Sequence, residues 1–159
     1  MANTTCNVTF GPNEYIQVDH AHIAMRNFAG KPTKVNRRGG DRSFVWVIPS
    51  EELAAALTER GWNVKVMPPR EEGEDPFMFL PIKIKFNARG PHMFTTACGR
   101  VTRLDEEDCD LIDDMSILYV DMDIRPYDWN VNGKEGRSAY LVDINVVQDG
   151  SRFDSLINE

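Results

Sequence analysis

Hydrophobic and polar positions alternate along much of this chain with the period of two that is typical of half-buried β-strands. The first extended stretch covers 14–27, and the segment 43–48 (SFVWVI) is β-branched and aromatic with apolar residues on both faces. Pro81 lies within a further apolar stretch and indicates an edge strand or a bulge there, because proline donates no backbone hydrogen bond. The other strands predicted before residue 100 are 62–67, 77–86 and 92–97.

Two segments have the period of an amphipathic helix. The first begins after Ser50, which can cap it, and ends at Gly61, where a left-handed residue is usual. The second is an acidic helix that begins at Asp105, and the acids of its first turn suit the positive end of a helix dipole. Its apolar face consists of Leu104, Leu111, Ile112 and Met115.

The last part of the chain predicts a β-hairpin. Strands over 115–131 and 138–147 flank Asn132-Gly133, the strongest short hairpin signal. In the first strand the buried row is Val120, Met122 and Ile124. Its solvent-facing row is Asp121, Asp123, Arg125, Tyr127 and Trp129, and a bulge at Pro126 would bury the last two. On the return strand, one side carries Tyr140, Val142, Ile144 and Val146.

This order of elements predicts a mainly β (α+β) protein. A helix that precedes a closing hairpin is typical of the OB-fold, a five-stranded barrel. The helix at 50–61 and the strand that follows it are then an insertion into the barrel. We expect a single OB-fold-like domain over 1–148 and a loosely ordered C-terminal tail over 149–159.

Composition narrows the class of protein. The 159 residues carry a net charge of −7, which disfavours indiscriminate binding to nucleic acid. No apolar run approaches the roughly 20 residues of a membrane span, and the N-terminus lacks the pattern of a secretory signal. The cysteines form no CxxC pair, which is typical of reduced thiols and indicates a cytoplasmic protein. They are Cys6, Cys98 and Cys109.

Positive charge is nevertheless concentrated over 26–42, around the loop that joins the first two predicted strands. In an OB-fold, this loop and the tip of the last hairpin flank the ligand face, and the hairpin tip adds Lys134 and Arg137. Cations at both places predict contacts with the phosphates of a nucleic acid. A solvated surface loop that balances the acidic face is the alternative. The cations of the loop are Arg26, Lys31, Lys34, Arg37, Arg38 and Arg42.

Aromatic residues favour single-stranded nucleic acid, because unpaired bases stack on ring faces. Tyr127 and Trp129 are predicted on the wet face beside Arg125, and Phe28 stands at the start of the basic loop. Phe44 and Trp46 share a strand face and could also stack on bases. For these two a place in the core is an equal alternative, because their neighbours Val45, Val47 and Ile48 are apolar too.

Other chemistry receives less support from the sequence. The carboxylates of 105–114, with Asp121 and Asp123, could hold Mg²⁺ for a nuclease, but on one helix they spread around a solvated face. His20 and His22 lack a third ligand at recognisable spacing, so no metal or cofactor is expected. A further alternative is an acidic protein-interaction module that mimics DNA or inhibits a host enzyme.

Three blocks of the sequence resemble the OB-fold single-stranded-DNA-binding proteins of bacteriophages. They are 26–30 (RNFAG), 42–76 and 123–141, and the resemblance covers most of the chain from Ile23 to Val147. It implies largely sequence-independent binding of single strands in phage DNA replication and recombination, in the host cell cytoplasm, with no chemistry performed. The matching blocks contain Arg26, Phe28, Arg42, Phe44, Trp46, Tyr127, Trp129, Lys134 and Arg137.

The resemblance also raises the question of protein partners. Many such proteins end in a long acidic tail that recruits replication proteins, whereas the acids of the last residues here are Asp149, Asp154 and Glu159. We therefore expect the acidic helix 105–114 to be the handle for a replication or recombination protein, and no membrane partner. DNA or RNA preference, site size and self-association stay open.

Overall fold

The computed structural model describes residues 6–32, 41–68, 71–73, 76–87 and 90–149. Within these residues, nine β-strands share one hydrogen-bonded sheet, accompanied by one α-helix and two 3₁₀ segments. Helix α1 is Glu51–Glu59, and the 3₁₀ segments are Pro12–Glu14 and Cys109–Asp114. Strands β1 to β9 are Asn7–Phe10, Ile16–Asn27, Arg42–Val47, Lys65–Met67, Phe77–Ile84, His92–Ala97, Arg100–Leu104, Ile117–Val131 and Lys134–Gln148.

Five of the described strands close into a barrel. Strand β2 pairs antiparallel with β3 and β8, β3 pairs with β5, and β8 pairs with β9. Parallel pairing of β5 with β9, at Ile82–Ala139 and Lys83–Tyr140, completes the ring. The remaining strands extend this barrel at β1, β4, β6 and β7. The predicted five-stranded OB-fold-like barrel is confirmed.

The core fills the barrel and continues under α1. Phe28 and Phe44 stack with ring centroids 5.2 Å apart and an interplanar angle of 9°. Leu57 of α1 and Trp62 just after the helix belong to the same buried cluster. Burying each large apolar side chain contributes about 1.5–3 kcal/mol, so this shared core stabilises barrel and insertion together.

Helix α1 begins and ends where the sequence predicts. The Ser50 hydroxyl accepts a hydrogen bond from the Leu53 amide at 3.2 Å, which satisfies one of the free N–H groups of the first turn. Gly61 has a φ of +91°, a conformation that favours glycine and ends the helix. None of the helices in the described residues is long and apolar enough to cross a membrane.

The acidic helix predicted from Asp105 is wrong. Within 105–114, only Cys109–Asp114 is helical, as a 3₁₀ segment, and Leu104 belongs to β7. The Arg26 guanidinium donates to the carbonyl oxygens of Ile112 and Met115 at 2.7 and 2.6 Å. These tertiary hydrogen bonds satisfy carbonyls at the end of the segment, and the density of like charge further disfavours a longer helix.

The strand predictions differ from the structure in three places. The sequence pattern does not predict β1 and β7. Strand β4 begins only at Lys65, because the Trp62 amide donates to the Leu57 carbonyl at the end of α1, at 3.0 Å. Pro81 is not on an edge strand, since its position in β5 pairs with Val45 of β3. Along the other edge of β5, the residues 77–79 pair with β4 and the residues 82–83 pair with β9, so Pro81 lies between these two pairings. Proline's missing N–H costs least at such a change of partner.

A bulge in β9 changes one predicted face and preserves another. Asp123 pairs with Asp143, but the next residue, Ile124, pairs with Leu141, so β9 contains one extra residue. The alternation along β8 is therefore intact from Tyr119 to Val131, and Val120, Met122 and Ile124 are buried as predicted. On β9 the predicted shared side is wrong, because the buried residues are Ala139, Leu141, Ile144 and Val146.

The predicted domain boundaries remain a prediction. Strand β9 ends at Gln148, and the Asp149 amide donates to the Ser116 carbonyl at 2.8 Å. The rest of the predicted tail, 150–159, lies outside the described residues.

Candidate nucleic-acid interface

The basic loop is described only at its two ends. Lys34, Arg37 and Arg38 lie outside the described residues, and Lys31 is exposed. Arg42 donates to the Glu106 carbonyl at 3.1 Å and to Cys109 Sγ at 3.3 Å, and its guanidinium lies 5.1 Å from the centroid of the Phe86 ring. Together with the Arg26 bonds described above, these contacts give both arginines a structural role, and their predicted phosphate contacts stay a prediction.

The predicted base stacking by Phe28, Phe44 and Trp46 is wrong, because all three side chains are buried. Strand β3 is covered on both faces, and the alternative of a core position is therefore confirmed for Phe44 and Trp46. The main chain at Phe28 is fixed by Asp113, whose carboxylate accepts hydrogen bonds from the amides of Phe28 and Ala29 at 2.7 and 3.1 Å.

The β8–β9 hairpin holds the exposed indole of Trp129. Asn132 and Gly133 form its two-residue turn, with φ of 52° and 81°. Trp129 pairs with Gly136 across the hairpin. A Cβ atom at Gly136 would lie 2.8 Å from Trp129 Cη2 and closer still to Cζ2 and Cε2, so the ring lies over the glycine main chain. The side chain is 38% exposed, which leaves its other side open to solvent.

Trp129 stands at the end of a row of aromatic and cationic side chains. Tyr127 is 53% exposed, which confirms its predicted place on the wet face of β8. Its ring meets that of Tyr140 on β9 edge to face, with centroids 5.7 Å apart. The Arg125 guanidinium lies 4.9 Å from the Tyr140 ring centroid. Exposed rings beside a cation are typical of a surface that stacks bases and contacts phosphates.

Sequence reasoning missed two lysines that face this row. A cavity of about 630 Å³ is lined by Trp129, Lys65 and Lys83, among others. Both lysines are exposed, and Lys83 pairs with Tyr140 at the closure of the barrel. The signal is present in the alternation IKIK over 82–85, which places Lys83 and Lys85 outward on the third barrel strand. A search for dense charge favours loops and overlooks evenly spaced strand lysines.

Arg137, predicted to contact phosphate, is held by protein groups instead. Its Nε and Nη2 donate to the Asp128 carboxylate at 2.7 and 3.2 Å, and its Nη1 donates to the Arg60 carbonyl at 2.8 Å. It also forms an ion pair with Glu14 and lies over the Trp62 ring. The side chain is only 14% exposed. It therefore fastens the hairpin to the end of α1, while Lys134 at the tip stays exposed.

The same contacts shift the pKa values of Asp128 and Arg137. Hydrogen bonds from Arg137 hold the pKa of Asp128 below its ordinary value. Hydrogen bonds to Asp128, partly opposed by burial, raise the pKa of Arg137. The ion pair thus stays charged on both sides near neutral pH.

The groups considered for catalysis do not converge. In the described part of the chain, no group of three or more His, Cys, Asp and Glu side chains is arranged to hold a metal ion. The His20 ring packs against Tyr119 at 4.1 Å between centroids, and its backbone amide donates to Asp121 at 2.9 Å. Burial raises the pKa of the Cys109 thiol, which disfavours the nucleophilic thiolate.

Comparison with known proteins points to one family. A family model described as a putative phage ssDNA-binding domain matches residues 5–153. No curated protein sequence matches the chain.

Solved structures with similar folds include a single-stranded DNA-binding protein from bacteriophage Enc34, with a TM-score of 0.60, 11% identity, and coverage of 96% of this chain and 90% of that chain. The same phage protein in complex with ssDNA has a TM-score of 0.60, 12% identity and 96% coverage of both chains. Its C-terminal truncation has a TM-score of 0.54, 12% identity and 94% coverage of both chains. At these identities the similarity establishes the fold.

Proposed function

The chain belongs to the phage ssDNA-binding domain family, and on this premise we propose that it binds single-stranded DNA without catalysing a reaction on it. The observation that carries the proposal is the Trp129 ring, lying on Gly136 with its outer side exposed beside Tyr127. We place this activity in phage DNA replication and recombination, in the cytoplasm of the host cell.

Binding of this kind combines stacked bases with neutralised phosphates. Bases stack on the open side of Trp129 and on Tyr127, and each stack contributes about 1–3 kcal/mol. Any base offers a ring face, so recognition is largely independent of sequence. Phosphates lie along cations of the same face and along the predicted loop cations, most of which lie outside the described residues. The loop cations are Lys31, Lys34, Arg37 and Arg38, and those of the barrel and hairpin are Lys65, Lys83, Arg125 and Lys134.

A direct binding assay tests the proposal. Anisotropy of a labelled dT oligonucleotide of about 16 residues, near the upper site size of one OB-fold, is measured at low and high salt. We expect saturable binding that weakens with salt, and weaker binding of a duplex of equal length. Absence of binding to the single strand at low salt contradicts the proposal. Incubation with Mg²⁺ or Mn²⁺ should leave the oligonucleotide length unchanged, and shortening would instead favour a nuclease.

Recruitment of a protein partner by the acidic segment 105–114 stays a prediction. Leu111 is exposed in this segment, whereas Asp113 is engaged with the amides of Phe28 and Ala29. The test therefore uses Asp110→Asn with Asp114→Asn and leaves Asp113 unchanged. We expect loss of partner binding or self-association with intact DNA binding, and unchanged association refutes this handle.

A further inference from the structure

A second cavity lies beside Arg125, at the opposite end of the row from Trp129. It has a volume of about 380 Å³ and is lined by Tyr15, Lys85 and Arg125, with the β9 bulge at Leu141 and Val142 contributing to its wall. Two cations and one ring thus surround a space within the usual size range of small-ligand pockets. Cations beside a ring are the combination that recognises a nucleotide, because the phosphate is anionic and the base stacks.

Each of the three side chains is placed by local structure. Lys85 lies two residues after Lys83, and side chains two residues apart in an extended chain point to the same face. Both lysines therefore point outward, and both are exposed. Arg125 is held over the Tyr140 ring at 4.9 Å. Tyr15 is 40% exposed and follows the Pro12–Glu14 turn, where its amide donates to the Pro12 carbonyl at 3.3 Å.

The two cavities are consecutive along the parallel pair of strands β5 and β9. Lys83 lines the first cavity and Lys85 the second, and Lys83 pairs with Tyr140. On β8, Trp129 and Arg125 are four residues apart, which is roughly 13 Å at about 3.3 Å per residue. Stacked nucleotides of one strand rise by about 3.4 Å each along the strand axis. The interval therefore holds at most about four nucleotides, and fewer when the strand is stretched.

Acidic side chains limit the path beyond Arg125. Asp123 is the next residue of the same outward row, and it pairs with Asp143 on β9. Repulsion from Asp123 and Asp143 opposes a phosphate that continues along β8. A strand that reaches Arg125 is thereby directed away from Asp123 and into the second cavity.

We propose that the second cavity is a nucleotide subsite, in which a base packs against Tyr15 while its phosphate lies between Lys85 and Arg125. The bound strand then runs from Trp129, across Tyr140, to Tyr15. This inference rests on the proposed function, since it specifies the path of the same single-stranded DNA.

Photocrosslinking of the wild-type protein tests the path without any substitution. Oligo-dT chains that carry one 5-iodouracil, moved along the sequence, are irradiated in complex with the full chain and the modified peptides are identified. We expect crosslinks at Trp129 from one position and at Tyr15 from a position a few nucleotides away. Crosslinks at Trp129 with none at Tyr15 from any position overturn the subsite and leave the proposed function intact.

Affinity measurements with variants complement the crosslinks. Tyr15→Ala should weaken binding by about 5- to 150-fold, the range that corresponds to the loss of one stacked base. Lys85→Gln should lower the salt slope by about 0.7, the value for one phosphate contact on a single strand. The matched control is Arg100→Gln on β7, an exposed cation that lines neither cavity. Folded variants that bind like the wild type overturn the subsite, whereas a wild-type chain that binds no single strand overturns the proposed function itself.

Discussion

The Trp129 indole covers the main chain of Gly136 on the neighbouring strand. A Cβ atom at position 136 would lie 2.8 Å from Cη2 of this ring, inside the distance that real Cβ atoms adopt. Glycine at position 136 therefore allows the indole to lie flat across the hairpin, with one side fixed and the other exposed. A large aromatic ring fixed in this way meets a base with little loss of side-chain entropy.

Gly136→Ala should displace the indole and weaken binding of single-stranded DNA. The φ of Gly136 is outside the left-handed region, so alanine is tolerated by the backbone and the steric effect falls on Trp129. We expect a loss of up to about 1–3 kcal/mol of binding free energy, the value for one stacked base. The control is Gly11→Ala, where φ is −93° and the nearest atom to an added Cβ is 3.7 Å away. A folded Gly136→Ala protein with wild-type affinity would show that the flat ring is not needed.

Lys83→Gln should reduce the salt dependence of binding. A lysine that neutralises one phosphate on a single strand contributes about 0.7 to the slope of log affinity against log salt concentration. Titrations at several salt concentrations, with Arg100→Gln as the control, measure this slope. An unchanged slope for Lys83→Gln would remove this lysine from the phosphate path.

Arg137→Gln should lower protein stability and leave the salt slope unchanged. The guanidinium is engaged by Asp128, Glu14 and the Arg60 carbonyl, so we expect it to neutralise protein charges rather than a phosphate. Loss of hydrogen bonds to charged groups costs roughly 1–3 kcal/mol of unfolding free energy. Urea unfolding gives the stability and salt titration gives the slope. A smaller slope at unchanged stability would restore the predicted phosphate contact.

Asp123→Asn should stabilise the protein at neutral pH. Burial first, then Asp143 and Asp19, raise the pKa of Asp123 in the folded state. With a raised pKa, the stability that this carboxyl contributes is fully present below its unfolded pKa of about 3.9 and is lost as pH rises through the folded pKa. The advantage of the variant should therefore shrink as pH falls from 7 toward about 4. Urea unfolding across this range checks the trend, and an equal difference at every pH contradicts it.

The wet face of β8 was predictable because its signal is local. Alternation of Val120, Met122 and Ile124 with polar residues fixes which side faces the core, and Tyr127 and Trp129 follow by parity. A bulge at Pro126 would have reversed that parity, but the bulge occurs on β9 instead. The barrel order was readable for the same reason, because most of its strands and the hairpin turn carry their own pattern.

The roles of Phe28 and Arg137 depend on residues far away in the sequence. Phe28 enters the core where Asp113 accepts its amide hydrogen, and Arg137 meets Glu14 on one side and Arg60 on the other. No local pattern indicates such contacts, so sequence reasoning treats a cation or ring in a loop as free. Burial of both faces of β3 likewise depends on elements packed against it from elsewhere in the chain.

Tryptophan fluorescence during titration with oligo-dT tests the role of Trp129 most directly. Trp46 and Trp62 are buried, so Trp129 is the exposed tryptophan of the three in this chain. We predict quenching in the wild-type protein. In Trp129→Phe the quenching should be lost because the stacking fluorophore is absent, and binding should weaken because phenylalanine offers a smaller ring. A folded Trp129→Phe protein that keeps the full quenching and the wild-type affinity would contradict the proposed stacking on this ring.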